Sequence, residues 1–287
     1  MRNIKSVEVT AKNESKISAT VFFPSGEIIG SVVIASALGV EQSFYYSFAS
    51  WLSNKGFVVT TFDYSSTGDS DSICYKKSNA TITDWAKFDC EAILSLASSN
   101  AVGKPIYWMG HSLGGQIVGM IPNFSIVSKV ITIASGSGYW KENVKNLKRR
   151  VWFLWYFVAP VLLKTFGYFP GKRIGMVGDL PYGVMHQWRK WCLHPNYFIG
   201  IEDEAIQASY QMFNTPITSF SFTDDQLMSE KNISSLHGFY GTSDKVMKRF
   251  SPEHLKTRSV GHFGFFKDAM KECLWEEHLL SVLSTDI

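Results

Sequence analysis

The chain has 287 residues, of which 45% are hydrophobic and 18% charged, and its formal net charge is +3. This composition is typical of a globular protein and excludes a disordered chain. The length suits one large domain or a core with an inserted subdomain. The small net charge gives no reason to expect a nucleic-acid partner.

The N-terminal segment has no apolar stretch of the kind found in signal peptides, so we expect a cytoplasmic protein. The four cysteines are widely spaced and include no CxxC pair, which favours free thiols over a metal site or a disulfide framework. They are Cys74, Cys90, Cys192 and Cys273. The longest apolar run, residues 151–163, contains Pro160 and is shorter than the roughly 20 residues of a spanning helix. It favours a buried or interfacial helix.

Strand and helix patterns follow one another along the first half of the chain. Alternating or continuous apolar runs predict strands, and apolar residues at helical spacing predict helices. The predicted strands are 17–24, 31–36, 57–63, 105–109 and 129–135, and the predicted helices are 42–56 and 82–99. Because strands alternate with helices from residue 31 onward, we expect a mostly parallel sheet with helices on both faces.

The alternation stops between residues 137 and 213, a stretch that is basic, aromatic and helix-like. Residues 141–190 contain ten Lys or Arg and two acidic residues, a net charge of +8. Strand patterns return at 216–222 and 244–250, with a helix pattern between them and another before residue 283. We therefore predict a core formed by 1–136 and 214–287 and an inserted helical cap, or lid, over 137–213.

A single serine stands between glycines where the strand at 105–109 ends. Residues 110–114, Gly-His-Ser-Leu-Gly, fit the G-x-S-x-G pattern in a strand, turn and helix context. Glycines two positions before and after Ser112 allow a sharp, crowded turn that presents the hydroxyl outside the sheet. The first turn of the following helix adds backbone N–H donors. This pattern predicts that Ser112 is a nucleophile.

A serine hydroxyl needs a base, and a base needs an orienting acid. In enzymes with this turn, the acid and then the histidine follow the serine. His262 lies in "VGHFGFF", a glycine-flanked loop before the last helix, and is our candidate for the base. The other downstream histidines, His237, His254 and His278, fall in helix patterns or an unremarkable loop, and the His111 side chain is expected to point away from the site.

Three aspartates are candidates for the acid. Asp224 and Asp225 follow the strand at 216–222, and Asp244 follows a later turn. A helix and a strand must fit between acid and base, and Asp225 leaves more room for them than Asp244 does. We choose Asp225, with Asp224 as the near alternative.

The oxyanion hole is expected to combine the backbone N–H of Leu113 with one from the loop at 36–40, "SALGV". Leu38 is our candidate for the second donor, and Ala37 is the next. Neither metal nor cofactor is required by this set of residues.

Several motifs together resemble the α/β-hydrolase superfamily. They are "GHSLGGQ", "FDYSSTGDS" (62–70), "ALGV" with its downstream aromatics, and "GHFGFF". With "ASGSGYW" (134–140), "FGYFPGKR" (166–173) and "DLPYGVMHQWRKWC" (179–192), the chain is similar to bacterial predicted hydrolases described as lipase-like or serine-aminopeptidase-like. The resemblance implies an α/β-hydrolase fold, a serine hydrolase and a helical cap over the site. Ser36-Ala37 replaces the His-Gly that begins the oxyanion loop of many members.

The cap carries aromatic residues that could line the site: Trp140, Trp152, Trp155, Tyr156, Phe157, Trp188 and Trp191. Of these we expect Trp140, Trp155 and Trp188 to contact substrate, which favours an apolar acyl or aryl ester, a thioester or a lipid ester. An aminopeptidase, an acyltransferase and a non-catalytic binding protein on the same scaffold are the alternatives. The basic charge of the cap suits either a solvated face or peripheral contact with an anionic membrane.

Overall fold

The computed structural model describes residues 3–70, 78–176 and 178–284. Cys74 lies outside these ranges, and the other three cysteines are free thiols. Within the described residues, eight strands form one sheet with the spatial order β1-β2-β4-β3-β5-β6-β9-β10. Their bounds are β1 Asn3–Thr10, β2 Lys16–Phe23, β3 Gly30–Ala35, β4 Phe57–Phe62, β5 Ile106–His111, β6 Lys129–Ile133, β9 Ile217–Phe222 and β10 Lys245–Phe250.

The sheet is parallel from β4 to β10 and antiparallel at the β1 end, where β2 pairs with both β1 and β4. Strands β3, β4, β5 and β9 are buried along their whole length, as expected for strands covered on both faces. The predicted mostly parallel sheet is therefore confirmed. Strand β1 was not predicted, because its exposed, polar sequence lacks the apolar pattern of the central strands.

Helices cover both faces of the sheet and bury two separate apolar cores against it. One face carries α1 Tyr46–Ser53 and the C-terminal helix, which runs through the π-helical segment Lys271–Leu279 into α10 Leu280–Ser284. The other face carries a helix formed by α2 Ile82–Asp84, the π-helical segment Trp85–Cys90 and α3 Glu91–Asn100.

Shorter elements complete the core. They are the helices α4 Leu113–Gln116 and α9 Glu230–His237 and the 3-10 turns Gln42–Tyr45, Val118–Met120, Phe124–Ile126, Gly264–Phe266 and Asp268–Met270. Helices α2 and α9 both begin with a capping box, in which Thr81 pairs with Asp84 and Ser229 with Asn232.

The chain leaves the sheet after β6 and returns to it at β9. Between them it forms α5 Lys145–Phe153, the π-helical segment Leu154–Val158, α6 Ala159–Phe166, α7 Tyr182–Leu193 and α8 Glu204–Gln211, with 3-10 turns at Lys172–Ile174 and Tyr197–Gly200. Two short strands, β7 Tyr168–Phe169 and β8 Leu180–Pro181, pair with each other. We call residues 137–213 the cap. No helix among the described residues is long and apolar enough to cross a membrane.

Candidate active site

The chain turns sharply between β5 and α4, and Ser112 is the residue at the turn. Its φ of 49° and ψ of −108° lie in a strained region for a residue with a side chain. Its N–H donates to the carbonyl of Ile133 on β6, which ties the turn to the neighbouring strand. Within the described part of the chain, the Ser112 hydroxyl forms no hydrogen bond.

The two glycines of the motif are required by close contacts between backbones. A Cβ on Gly110 would lie 2.2 Å from the nitrogen of Gly115. A Cβ on Gly114 would lie 2.2 Å from the carbonyl oxygen of Ala35, at the end of β3. Since atoms cannot approach this closely without displacing the backbone, neither position accepts a side chain. The crowding that the sequence pattern predicts is present.

His262 follows β10 in a loop at the carboxyl edge of the sheet and is 3% exposed. Its Nδ1 lies 2.9 Å from Oδ2 of Asp225, which follows β9. The other carboxylate oxygen of Asp225 accepts the N–H groups of Leu227 and Met228, at 2.8 and 3.0 Å. Because an ionised carboxylate only accepts hydrogen bonds, the proton of a neutral His262 resides on Nδ1. Nε2 is then the nitrogen with a lone pair for accepting a proton.

Asp224 lies beside Asp225 but has a different set of partners. Its carboxylate accepts the N–H groups of Val260 and Gly261, at 2.8 and 3.0 Å, and so holds the loop that carries His262. Gly261 has a φ of 62°, a conformation that favours glycine at this position. The Asp244 carbonyl accepts the N–H of Ile217, at the start of β9. Of the three candidate acids, Asp225 is the one that is hydrogen-bonded to the histidine.

The sequence left two candidate backbone donors open in the loop after β3, and one of these two is already engaged. The N–H of Ala37 donates to the hydroxyl of Tyr45 at 3.0 Å, so this donor is already used. The N–H groups of Leu38 and Leu113 have no acceptor among the residues that the structure describes. The contact between Ala35 and Gly114 brings this loop against the turn that bears Ser112.

A hydrogen-bonded chain that the sequence did not predict connects this loop with the backbone of His262. The Tyr45 hydroxyl lies 2.8 Å from Nδ1 of His111, and Nε2 of His111 lies 2.9 Å from the carbonyl oxygen of His262. A carbonyl can only accept, so His111 carries its proton on Nε2 and accepts from Tyr45 at Nδ1. Burial, and secondly the charge of His262, lowers the pKa of His111 to about 3. The neutral imidazole is therefore the form that fits this chain.

We expected the His111 side chain to point away from the site, and this expectation is wrong. The side chain packs beneath the His262 loop, with 5.3 Å between the ring centroids of His111 and His262. It is the last residue of β5, and the strand directs it into the core under the loop. Its position directly before Ser112 was the available signal. The partner Tyr45 is 66 residues away in sequence, so no local pattern indicates the contact.

Of the three tryptophans predicted to contact substrate, one is buried in the cap, and Trp140 and Trp188 are partly buried. Trp155 is buried and meets Trp188 edge to face, with 4.9 Å between ring centroids. The N–H of Trp140 donates to the carbonyl of Cys192. Among the described residues, no hydrogen bond or ring contact joins these tryptophans to Ser112 or His262. Their role in binding substrate stays a prediction.

The remaining cap aromatics divide between the interior and the surface. Trp191 is fully buried. Trp152, Tyr156 and Phe157 are 43%, 46% and 49% exposed, so these side chains lie mainly at the surface, and their part in an apolar lining of the site stays a prediction. The helix that bears them directs its opposite face toward the protein, because that is the side on which Leu154 and Trp155 are buried.

The cap also touches the loop that holds the candidate oxyanion donor. The N–H of Gly178 donates to the carbonyl of Gly39 at 3.0 Å. The ammonium group of Lys172 lies 2.6 Å from a carboxylate oxygen of Glu41. These two contacts place the segment after β7 directly over residues 39–41.

Comparison with known proteins supports the architecture. The family model described as serine aminopeptidase, S33, matches residues 26–149, a range that includes Ser112 but neither Asp225 nor His262. No curated protein sequence gives a significant match.

Solved structures match over most of the chain. An esterase of Pyrococcus furiosus has a TM-score of 0.65 at 13% identity, covering 99% of this chain and 91% of that one. A soluble variant of the monoglyceride lipase of Saccharomyces cerevisiae, in complex with a substrate analogue, has a TM-score of 0.62 at 16% identity, covering 88% and 86%. An esterase of Exiguobacterium antarcticum has a TM-score of 0.61 at 16% identity, covering 97% and 99%. The expected α/β-hydrolase fold is confirmed.

Proposed function

Because the chain has the α/β-hydrolase fold, we propose that it hydrolyses carboxylic esters with Ser112 as nucleophile, His262 as base and Asp225 as the orienting acid. The observation that carries the proposal is the hydrogen bond between His262 Nδ1 and the Asp225 carboxylate. It fixes the imidazole as the tautomer whose Nε2 can accept the serine proton. The strained backbone of Ser112 supports the same assignment, since strain of this kind is concentrated at functional positions.

In the proposed mechanism, the Ser112 oxygen attacks the ester carbonyl while His262 Nε2 takes the hydroxyl proton. The C–O bond to the alcohol then breaks, and the imidazolium returns the proton to the departing alkoxide. Water attacks the acyl-enzyme in the same way and releases the acid. The Asp225 carboxylate stabilises the imidazolium in both halves. No cofactor enters these steps.

The negative charge on the carbonyl oxygen needs donors that are not already engaged. The backbone N–H groups of Leu38 and Leu113 meet this requirement, and Ala37 does not because its N–H donates to Tyr45. Removal of one such donor in other enzymes lowers the rate by about 10² to 10³-fold. We therefore assign the oxyanion hole to Leu38 and Leu113.

An ester with an apolar acyl or aryl group is the proposed substrate class. The cap is rich in aromatic residues, and solved structures of similar fold include a monoglyceride lipase and esterases. An aminopeptidase would need a carboxylate available for the amino terminus of its substrate. In the cap, Glu142 accepts a hydrogen bond from Ser137, and Glu202 accepts hydrogen bonds from Gln187 and Trp191. Glu204, at the start of α8, is exposed, but the engagement of the other two glutamates favours an ester over a peptide.

The test begins with a fluorophosphonate probe, which labels activated serines, on the wild type and on Ser112→Ala. Ser66→Ala is the matched control, because Ser66 also has a positive φ, 61°, and is also buried. We expect the wild type and Ser66→Ala to be labelled and Ser112→Ala to remain unlabelled. Labelling that persists in Ser112→Ala would overturn the assignment of the nucleophile.

The second measurement compares p-nitrophenyl esters of increasing acyl length with an amino acid p-nitroanilide. We expect the esters to be cleaved and Ser112→Ala to lose at least about 10³-fold in kcat/KM. Preferential cleavage of the anilide would instead identify an aminopeptidase. Failure of the wild type to react with the probe or with any ester would contradict the proposed activity.

A further inference from the structure

The outer side of the helix that begins the cap is an exposed aromatic surface. Over α5, the π-helical segment and α6, five side chains that are 43–58% exposed lie on this side, and we call them the aromatic face. They are Trp152, Phe153, Tyr156, Phe157 and Val161. Their main ring contacts are with one another: the centroids of Trp152 and Phe157 are 5.4 Å apart, and those of Phe153 and Phe157 are 5.5 Å apart. Large exposed apolar patches usually mark an interaction site.

Packing within the protein does not account for this face, because the same helix uses its other side for that purpose. Leu154, Trp155, Ala159 and Leu163 are buried on the inner side. Arg189 from α7 donates to the carbonyl of Trp155 at 2.5 Å and so holds this inner side in place. The aromatic face is thus the outer half of a helix that is already anchored.

Basic residues lie at both ends of the aromatic face, and carboxylates are missing from the helix. Residues 145–166 include five Lys or Arg and no Asp or Glu. Within the described residues, none of these five cations forms an ion pair. Arg149 and Arg150 precede the aromatic face and Lys164 follows it, about 20 Å further along the helix axis. Arg149 and Arg150 also line a groove of about 680 Å³ together with Trp140 and Trp152.

We propose that this helix is a membrane-binding surface that places the aromatic face in the interfacial layer of an anionic phospholipid bilayer. A helix with exposed aromatic residues on one side and basic residues at its margins suits such a position, parallel to the membrane plane. The arginines and Lys164 then meet lipid phosphates, and the groove beside Trp140 receives a headgroup. Charge complementarity argues for this occupant, because a bilayer supplies both an anionic surface and an apolar layer beneath it.

The test is sedimentation of the full chain with vesicles of phosphatidylcholine alone or mixed with phosphatidylglycerol, at low and at high salt. The aromatic variant is Phe153→Ser with Phe157→Ser, and the basic variant is Arg149→Gln with Arg150→Gln. The matched control is Val246→Ser with Met247→Ser, since these residues of β10 are 47% and 46% exposed on another element. Circular dichroism and thermal unfolding establish that each variant is folded.

We expect the wild type and the control to bind anionic vesicles and to be released by salt. The basic variant should bind anionic vesicles about ten-fold more weakly, with a smaller salt dependence. The aromatic variant should lose at least about ten-fold in binding.

Three results would overturn the proposal: a wild type that does not sediment with anionic vesicles at low salt, an aromatic variant that binds as well as wild type, or a control that loses as much. Light scattering provides a fourth. A wild-type dimer that the aromatic variant converts to a monomer would assign the face to a second copy of the chain. None of these readouts depends on ester hydrolysis, so they are independent of the proposed function.

Discussion

Charged side chains are paired at the carboxyl edge of the sheet but unpaired on the outer side of the helix at 145–166, among the described residues. At the sheet edge, Asp224 and Asp225 together accept hydrogen bonds from four backbone N–H groups and from His262. On the cap helix, five cations have no carboxylate partner among the described residues, and the aromatic face is open to solvent. The carboxylates at the sheet edge are held in place by hydrogen bonds within the protein. The outer side of the helix has the composition of a binding surface.

This difference determines what a substitution should do in each region. Buried polar groups with full sets of partners leave other groups unsatisfied when they are changed, which costs free energy and disturbs geometry. Exposed side chains contribute little to stability, and their substitution changes contacts with the surroundings instead. The predictions below proceed from the buried network outward to the surface of the cap.

The largest effect is expected at Asp225, with Asp224 as its matched neighbour. Asp225→Asn keeps the shape of the side chain but no longer stabilises an imidazolium, and it permits the wrong tautomer of His262. We expect kcat for an ester substrate to fall by about 10³ to 10⁴-fold. Asp224→Asn loosens the loop at residues 260–261 and should lower kcat by about ten-fold or less. Steady-state kinetics on both purified variants measures the contrast.

Equal losses in the two Asp variants would mean that both carboxylates position the loop and that neither is the dedicated partner of the base. A larger loss for Asp224→Asn would reverse the assignment. Thermal unfolding of both variants separates a loss of activity from a loss of folded protein.

The second effect concerns Tyr45, which joins the oxyanion loop to the His262 loop through His111. Tyr45→Phe keeps the ring but leaves the N–H of Ala37 and Nδ1 of His111 without partners. Because both groups are buried, we expect a loss of about 2 kcal/mol in the free energy of unfolding. We also expect kcat to fall by about ten-fold with KM nearly unchanged, because the substrate's ground-state contacts remain.

Tyr64→Phe is the control for Tyr45. Tyr64 is also buried, and its hydroxyl donates to the carbonyl of Ser36 in the same loop, at 3.2 Å. This substitution should lower stability by about 1 kcal/mol without changing kcat. If both variants reduced kcat alike, the role of Tyr45 would be packing of the loop and not positioning of the base.

The contrast between Tyr45 and Ser112 explains how much of the site could be predicted. The glycines around Ser112 and the strand before it are local features, so residues 110–114 and their neighbours were enough to predict the sharp turn at Ser112. Asp225 and Asp224 are adjacent and follow the same strand, and only the partners of each carboxylate distinguish them. The link from Tyr45 to His111 crosses 66 residues, and no local pattern indicates it.

The fold shows the same division. The central strands were predictable because burial on both faces requires continuous apolar runs, as in β3 and β4. Strand β1 is an edge strand with exposed side chains, and its pairing with β2 gives no apolar signal. In the cap, composition indicated helices rich in aromatics. Which side of the helix at 145–166 faces outward depends on the neighbours Trp188 and Arg189, and these are distant in sequence.

A third prediction uses Asp89, a buried carboxylate that contrasts with Asp225. One Asp89 oxygen accepts the N–H of Ser65 at 2.7 Å, and the other has no partner in the structure as described. Burial raises the pKa of Asp89 from 3.8 to about 7. Between pH 3.8 and about 7, the folded state therefore holds a proton on Asp89 that the unfolded state has released. The resulting stabilisation is complete below pH 3.8 and is lost as the pH rises through about 7.

Asp89→Asn removes this titration. Between pH 5.5 and pH 8.5 the wild type should lose about 2 kcal/mol of stability relative to the variant; the loss accrues at about 1.4 kcal/mol per pH unit up to about pH 7 and levels off above it. Chemical denaturation of both proteins at the two pH values measures the difference. An unchanged difference between them would mean that Asp89 is already ionised in the folded protein at pH 5.5.

The smallest effect is expected where the cap meets the loop after β3. Lys172 and Glu41 form an ion pair whose side chains are 60% and 47% exposed, and such pairs contribute at most about 1 kcal/mol. Glu41→Gln should leave the unfolding temperature nearly unchanged. The control is Glu27→Gln, which removes the exposed pair with Lys104.

Activity is the more sensitive readout of Glu41→Gln, because the ion pair spans the cap and the loop that carries Leu38. We expect kcat/KM for a long-chain ester to change by about two- to three-fold in Glu41→Gln and not in Glu27→Gln. Since salt screens exposed pairs, this change should diminish at high ionic strength. The hydrogen bond from Gly178 to Gly39 uses backbone atoms only, so it persists in the variant. It limits how far the cap can move away from the loop after β3. A change that is equally large at low and high salt would assign the effect to the Glu41 side chain itself and not to its attraction for Lys172.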